Sequence, residues 1–278
     1  MDQGTDPFRN RVAVITGGAS GIGLAMARAF AARGAKLVLA DIDEAALAER
    51  EAELRARGAE VMGVRTDVSD RAQVEALAEA TVKRFGAAHL VCNNAGIATF
   101  GEIAKAPRED WDYTLSIDFW GVAYGIQAFL PRLLAQGEGG HIVNTASMAG
   151  LVGMQWLGIY CAAKFAVVGV SEALHRELKP HGIGVSVLCP MIVSTRINEN
   201  SERLRPSTFR PSSAAAPAPP QGSMQGSVKD PAEVAHRVVR AVERNQLYVL
   251  THEEQREILR RRAARLDAVF EPETWDLE

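Results

Sequence analysis

The sequence lacks the features that mark disulfide-rich, metal-binding and membrane-spanning proteins. It has 3 cysteines in 278 residues, Cys92, Cys161 and Cys189, and their spacing forms no pair. Neither a disulfide framework nor a Cys/His metal site is therefore expected, and free thiols suggest a reducing, cytoplasmic location. No apolar run approaches the roughly 20 residues that cross a bilayer. Residues 1–10 are polar and lack the apolar core of a signal peptide, so we expect a disordered leader there.

The chain also lacks an excess of charge of either sign. Its 31 Lys and Arg nearly balance its 34 Asp and Glu, which leaves a net charge of −3. A basic surface for nucleic acid or anionic lipid is therefore not predicted. A hydrophobic fraction of 47% with 23% charged residues is ordinary for a globular protein, and the length suits one large domain or two small ones.

Short apolar runs alternate with segments of helical periodicity along most of the chain. Strands are predicted at 11–16, 36–40, 61–65, 90–92, 141–146, 184–189 and 247–250. Helices are predicted at 21–33, 44–57, 71–85, 108–134, 159–179 and 231–244. Strands that are apolar throughout suit a parallel sheet covered on both faces, and the β-α alternation predicts a doubly wound α/β fold.

A glycine-rich turn follows the first predicted strand. In TGGASGIG (residues 16–23), Gly17, Gly21 and Gly23 have the spacing G-x-x-x-G-x-G. Such a turn lets the backbone approach a pyrophosphate, and the helix that follows offers unpaired N–H groups. Because the turn lies between a strand and a helix, it predicts a nucleotide site.

An acidic residue ends the second predicted strand. Asp41 lies 18 residues beyond Gly23, where a carboxylate can accept hydrogen bonds from ribose hydroxyls and repel a 2′-phosphate. The alternative is that Asp41 only caps the next helix, a role that Asp43 could also fill.

A tyrosine, a lysine and a serine form a possible proton-transfer set. Tyr160 and Lys164 are four residues apart in a predicted helix, and Ser147 precedes Tyr160 by 13 residues. A free tyrosine has a pKa near 10, which must fall by roughly 2–3 units for exchange with an alcohol at neutral pH. A neighbouring cation shifts the pKa in that direction. In isolation, a Tyr–Lys pair on a helix is often a plain surface pair.

With these motifs in this order, residues 11–250 resemble the classical short-chain dehydrogenase/reductase family. The resemblance implies a single-domain, Rossmann-like, doubly wound parallel sheet of about seven strands with helices on both faces. It implies that Tyr160 is the general acid/base, that Ser147 polarises the substrate oxygen and that Lys164 binds the nicotinamide ribose. It implies cofactor contacts from Gly17, Ser20, Gly21, Ile22, Gly23, Asp41, Asp67, Val68, Asn94, Ala95, Gly96, Tyr160, Lys164, Pro190, Val193 and Thr195.

The resemblance also bears on the choice of cofactor. Relatives that use NADP usually place a basic residue in the glycine turn or just after the second strand, and here those positions are Gly18 and Ile42. Together with Asp41, they favour NAD over NADP.

Two positions depart from the family pattern. Asp118 stands in Asp118-Phe119-Trp120-Gly121, where the family usually has Asn, and we count Asp118 with the catalytic residues. Met191 follows Pro190, where the family commonly has Gly. An ionised Asp118 would favour the ammonium form of Lys164 and alter the pH profile.

The candidate substrate pocket is mostly apolar. Its members are Ile97, Met148, Gly153, Met154, Trp156 and Met191. This set predicts a neutral, hydrophobic secondary alcohol or ketone as substrate. Residues 198–206 and 243–250 also resemble, locally, bacterial dehydrogenases of the benzylic alcohols in lignin-derived aryl ethers.

Three further expectations concern the periphery. Residues 206–227, rich in proline and serine, are interpreted as part of a mobile substrate lid over 196–229, with an inert surface insertion as the alternative. Residues 251–278 are expected to form a charged helical tail, either solvated or packed between subunits. By resemblance, two long helices form subunit interfaces, so we expect a homotetramer or homodimer.

Two other functions stay open at this point. One is an NADPH-dependent carbonyl reductase of a biosynthetic pathway, which Asp41 disfavours. The other is a catalytically silent scaffold, which the complete set of Ser147, Tyr160 and Lys164 disfavours.

Overall fold

A single seven-stranded parallel sheet organises the protein. The computed structural model describes residues 6–211 and 226–271. The strands are β1 Val12–Thr16, β2 Lys36–Asp41, β3 Val61–Arg65, β4 Leu90–Asn93, β5 Gly140–Thr145, β6 Ile183–Cys189 and β7 Tyr248–Leu250. Their order is β3-β2-β1-β4-β5-β6-β7 and every pairing is parallel. The order reverses between β1 and β4, which opens a crevice at the carboxyl ends of the strands.

Helices cover both faces of this sheet. They are α1 Gly21–Ala31, α2 Glu44–Ala56, α3 Arg71–Phe85, α4 Arg108–Leu115, α5 Gly121–Gln136, α6 Gly158–Glu177, α7 Ile197–Arg203, α8 Pro231–Glu243 and α9 Gln255–Asp267. One apolar core joins the sheet to α1, α2 and α8, and a second joins it to α3, α5 and α6. The predicted α/β fold is confirmed. Within 6–211 and 226–271, no helix has the length and apolar character needed to cross a membrane.

Aspartates begin several helices, as the sequence suggests. Asp43 caps α2 by accepting a hydrogen bond from the Ala46 N–H at 3.2 Å. Asp230 caps α8 in the same way, with Pro231 at the first helical position. Each carboxylate satisfies backbone N–H groups that the first turn of a helix leaves unpaired.

The prediction of one long helix over 108–134 is wrong in one respect. It is divided into α4 and α5 by a π-helical turn at Ser116–Trp120. A π turn adds a residue to the helical repeat and so changes which side chains face inward. Within this turn Asp118 is fully buried, whereas Trp120 is 45% exposed.

The leader predicted as disordered is also corrected in part. Phe8 is buried and stacks on Phe30 of α1, with ring centroids 5.3 Å apart. Asp6 forms an ion pair with Arg33 at 2.7 Å. Burial of an aromatic side chain offsets the entropy of ordering this segment. Residues 1–5 lie outside the described part of the chain.

Candidate active site

The glycine-rich turn brings the end of β1 close to the start of α1. Gly17 has a φ of +65°, a left-handed conformation that suits glycine. A Cβ on Gly23 would lie 2.1 Å from the Gly17 carbonyl oxygen. The tight turn therefore requires glycine at both positions.

The start of α1 faces a cavity of about 680 Å³. The cavity is lined by Ser20, Gly21, Ser194, Thr195 and Arg196, together with residues along α1, α2 and α8. Ser20 makes no side-chain cap to α1, so the first N–H groups of the helix stay available to an anion. This helix end fits the pyrophosphate of a dinucleotide, which Ser20 and Gly21 would hold.

Asp41 lies at the end of β2 beside the same crevice. Its Oδ2 accepts from the Ala19 N–H at 3.0 Å, and its Oδ1 accepts from the Asp43 N–H at 3.1 Å. Burial raises the pKa of Asp41, an effect that these backbone hydrogen bonds oppose. Because Asp43 caps α2, Asp41 is not the cap. Each carboxylate oxygen retains capacity to accept a ribose hydroxyl.

Asn94 ties three strands together at the crevice. Its Nδ2 donates to the Thr16 carbonyl at 3.0 Å, and its Oδ1 accepts from the Thr145 hydroxyl at 3.2 Å. The Thr16 hydroxyl in turn accepts from the Asn94 and Ala95 N–H groups. Our sequence reasoning missed Thr16 and Thr145, whose only signal was a hydroxyl residue at each strand end. Gly96 follows at the base of the site, where an added Cβ would lie 3.0 Å from Asp118 Oδ1.

Asp67 and Val68 follow β3. Asp67 Oδ1 accepts from the Ser69 N–H at 2.9 Å and from the Ser69 hydroxyl at 2.6 Å. Val68 is buried against Gly121, where an added Cβ would lie 2.9 Å from Val68 Cγ2. These contacts place both residues at the carboxyl edge of the sheet, and their contact with adenine stays a prediction.

Ser147, Tyr160 and Lys164 converge at the carboxyl end of β5. The Ser147 side chain lies close enough to that of Tyr160 to act in the direction of lowering its pKa. Lys164 Nζ lies 5.4 Å from the centroid of the Tyr160 ring. Lys164 is 2% exposed and donates to the Thr145 carbonyl at 3.2 Å. A hydroxyl donor, a phenol and a buried ammonium therefore share one small volume.

The electrostatics of Tyr160 correct one expectation. We expected the surroundings of Tyr160 to lower its pKa, but in the free protein burial raises it, and the charge of Asp118 adds to the rise. Ser147 acts in the lowering direction. Burial favours the neutral phenol, so a lower pKa would require an additional positive charge beside the ring.

Asp118 lies directly behind this set. Its Oδ1 accepts from the Ile97 N–H at 2.9 Å and lies 3.6 Å from Lys164 Nζ. Its Oδ2 is buried and has no hydrogen-bond partner among the described residues. Burial raises the pKa of Asp118, and the charge of Lys164 opposes that rise. The departure from the family pattern thus lies in contact with Lys164.

The segment after β6 is bonded to Ser147. The Pro190 carbonyl accepts from the Met148 N–H at 2.8 Å and from the Ser147 hydroxyl at 3.4 Å. Val193 forms a parallel bridge with Lys229. The bridge fixes the Val193 backbone two residues before Thr195.

The candidate pocket residues differ in exposure. Ile97 and Met148 are buried, Met154, Trp156 and Met191 are half-buried, and Gly153 is exposed. Trp156 has a φ of +67°, which is strained for a bulky residue. Its carbonyl accepts from the Gly101 N–H at 2.9 Å, which holds this conformation in place. That the six candidate pocket residues contact the substrate stays a prediction.

The first part of the predicted lid is anchored to the domain. Tyr113 donates from its hydroxyl to the Ser201 carbonyl at 2.9 Å, and the Ser201 hydroxyl accepts from the Ala98 N–H at 2.9 Å. Arg205 forms a buried ion pair with Asp110 of α4. These partners are far apart in sequence, and we did not predict them. Residues 212–225 of the predicted lid lie outside the described residues.

Comparisons with known proteins agree with this geometry. The model of the short chain dehydrogenase family matches residues 11–205. The C alpha-dehydrogenase of Sphingobium sp. (strain NBRC 103272 / SYK-6) is 36% identical over 254 residues, which cover 90% of this chain and 83% of that protein. A solved short chain dehydrogenase/reductase from Burkholderia phymatum, in complex with NAD, is 41% identical with a TM-score of 0.87 and covers 96% of this chain and 97% of that chain. Apo LigD from Sphingobium sp. strain SYK-6 is 31% identical with a TM-score of 0.80 and covers 95% of this chain and 99% of that chain.

Proposed function

Because the chain belongs to the short-chain dehydrogenase family, we propose that it is an NAD-dependent oxidoreductase of secondary alcohols and ketones. The observation that carries the proposal is the convergence of Ser147, Tyr160 and Lys164 at the crevice that the glycine turn lines. A silent scaffold would have no need of a buried lysine beside a tyrosine.

The residues divide the chemistry among them. Ser147 donates a hydrogen bond to the substrate oxygen and orients it toward Tyr160. In alcohol oxidation Tyr160 takes the hydroxyl proton, and in ketone reduction it returns that proton. Lys164 stabilises the phenolate by its charge. A nicotinamide cofactor, whose ribose Lys164 would hold, would supply the hydride acceptor for oxidation and the hydride donor for reduction, while Tyr160 handles the proton.

The preference for NAD over NADP rests on Asp41. Its carboxylate would accept the ribose hydroxyls and repel a 2′-phosphate. We expect thermal stabilisation of the protein by NAD and not by NADP. Asp41→Asn should lower the ratio of NAD affinity to NADP affinity about tenfold. A tenfold change corresponds to the loss of about 1.4 kcal/mol of repulsion between the Asp41 carboxylate and the 2′-phosphate. Asp70→Asn, at the cap of α3, serves as the control. A wild-type preference for NADP would favour the reductase alternative.

The proposed substrate is hydrophobic and neutral. The candidate pocket residues are apolar, and one relative is named a C alpha-dehydrogenase. Together with the local resemblance of residues 198–206 and 243–250, this favours aryl-substituted secondary alcohols. A panel of aliphatic and aryl secondary alcohols, followed by nicotinamide absorbance, tests the class. Turnover of charged sugars or thioesters alone would refute it.

Tyr160→Phe tests the chemical role. Loss of the phenol hydroxyl should lower kcat at least 10²-fold and leave NAD binding within a few-fold. Tyr124→Phe, on the half-buried face of α5, is the matched control and should keep full activity. Nucleotide binding with no turnover of any substrate by the wild type would favour the silent scaffold.

We also propose a homo-oligomer, dimer or tetramer. Trp120 is 45% exposed and stacks on Tyr124 at 5.6 Å, beside Phe119. An exposed aromatic cluster on a helix face is typical of subunit contacts. Light scattering on the purified protein measures the mass directly, and a monomer would contradict the proposal.

A further inference from the structure

The chain returns to the catalytic centre after the last strand. Residues 251–255, which we name the arm, follow β7 and lead into α9. Three of their side chains are buried: Thr251 is 1% exposed, His252 4% and Gln255 0%. The rest of α9 is mostly exposed. The arm also lies beyond residues 11–205, the part that the family model matches.

Both the nitrogen and the oxygen of the Gln255 side-chain amide form hydrogen bonds. Its Nε2 donates to the Cys189 carbonyl at 2.7 Å and contacts Met148 Sδ at 3.4 Å. Its Oε1 accepts from the Thr251 and His252 N–H groups, both at 2.9 Å. A buried amide with donor and acceptor both satisfied has a defined orientation.

His252 makes a second attachment close by. Its Nε2 lies 3.0 Å from the Ile192 carbonyl and 3.1 Å from the Ser227 carbonyl. Carbonyls only accept, so Nε2 carries the hydrogen. Nδ1 lies 2.6 Å from the Thr251 hydroxyl, which can donate to it.

These two side chains hold both ends of one short turn. Residues 189–192, which we name the turn, run from the end of β6 to the residue before Val193. Gln255 bonds the carbonyl at its start, and His252 bonds the carbonyl at its end. Between them, the Pro190 carbonyl accepts from the Met148 N–H and the Ser147 hydroxyl. A shift of the turn would therefore move Ser147 and Met148 with it.

We propose that Gln255 is a positioning residue, which fixes the turn and thereby Ser147, at the end of the cofactor site where Lys164 would bind the nicotinamide ribose. The inference rests on the proposed function, because it assumes a nicotinamide cofactor at this edge of the sheet. Gln255 reaches no reacting atom in this arrangement and acts through Cys189 and Met148. The adenosine end of the site lies at Asp41, where the arm makes no contact in the described structure.

The test separates the two ends of the cofactor. ADP-ribose carries the adenosine, pyrophosphate and second ribose but lacks nicotinamide, so its affinity reports the rest of the site. Isothermal titration calorimetry measures the Kd of NADH and of ADP-ribose for the wild type and for Gln255→Met. This substitution keeps the length of the side chain and removes its hydrogen bonds. We expect the Kd of NADH to rise at least fivefold and that of ADP-ribose to rise less than twofold.

A matched control comes from the opposite edge of the sheet. Gln136 bonds the N–H and the carbonyl of Ala88, just before β4. Gln136→Met likewise removes a glutamine's side chain–backbone bonds, two against the three of Gln255, and it should leave the ratio of the two Kd values unchanged. If Gln255→Met does not fold, Gln255→Glu replaces it. Glutamate retains an acceptor for the Thr251 and His252 N–H groups, and when ionised it replaces the donor to Cys189 and Met148 by a negatively charged oxygen.

Each outcome decides the matter. A selective loss of NADH affinity supports the proposal. Equal losses for both nucleotides, no loss, or a wild type that binds both equally would overturn the positioning role and leave the proposed function standing. A wild type that binds neither nucleotide would overturn the proposed function, and the inference with it.

Discussion

Replacing Asp118 by asparagine should shift the pH dependence of catalysis. The substitution keeps the size of the side chain and the acceptor for the Ile97 N–H, but removes a buried negative charge. That charge lies 3.6 Å from Lys164 Nζ and raises the pKa of Tyr160. In Asp118→Asn, the pKa of Tyr160 should therefore be lower than in the wild type.

The size of the shift follows from the charges. Two unit charges at 3.6 Å interact by about 4 kcal/mol at the effective permittivity of protein sites. Much of this offsets the cost of burying Asp118. If about a third of this interaction energy acts on the Tyr160 phenolate, the pKa of Tyr160 changes by about one unit, since one unit is about 1.4 kcal/mol.

The sign can be checked in both directions of the reaction. Oxidation needs the Tyr160 phenolate, so its rate rises with pH through the pKa, and in the variant this rise should occur about one unit lower. Reduction needs the neutral phenol, so its rate falls with pH through the same pKa, and that fall should also move to lower pH. The assay is kcat/KM against pH for both directions.

The control is Asp112→Asn, which removes an exposed carboxylate of α4 and should leave both profiles unchanged. An Asp118→Asn profile that coincides with the wild type would mean that Asp118 already carries a proton, and our reasoning would be refuted. A shift to higher pH would refute it as well, because the charge of Lys164 would then depend on Asp118.

Two further substitutions test the frame of the site. Gly23→Ala places a Cβ 2.1 Å from the Gly17 carbonyl oxygen, so NAD affinity should fall at least tenfold by calorimetry. Gly169→Ala, whose Cβ meets nothing within 4 Å, should leave it unchanged. Arg205→Met leaves the buried charge of Asp110 unpaired, so the free energy of unfolding in urea should fall by about 3 kcal/mol. Adding Asp110→Asn should recover part of this loss, and a neutral single variant would contradict the burial argument.

Much of the fold could be predicted because its signals are local. Apolar runs separated by helical periodicity indicate strands and helices directly, and β3 was predicted with its observed bounds, Val61–Arg65. The helix start at Asp230 and the glycine turn before α1 each depend only on residues that are adjacent in the sequence. The carboxyl ends of parallel strands share one edge of a sheet, so the topology brings Gly17, Asp41 and Ser147 to one crevice.

Other features depend on partners that are distant along the chain. The sequence pattern of 108–134 is helical throughout and contains no sign of the π turn that buries Asp118 against Lys164. Likewise, only packing decides that burial raises the pKa of Tyr160, or that Arg205 finds Asp110.

The sequence by itself thus determined which strands and helices follow one another along the chain and which chemical groups they carry. Both follow from residue type and short-range spacing. The tertiary structure decided which of those groups lose contact with water and which meet, as Gln255 meets Cys189. The reason is physical: desolvation and long-range hydrogen bonds depend on the whole packed arrangement, and no local pattern in the chain encodes them.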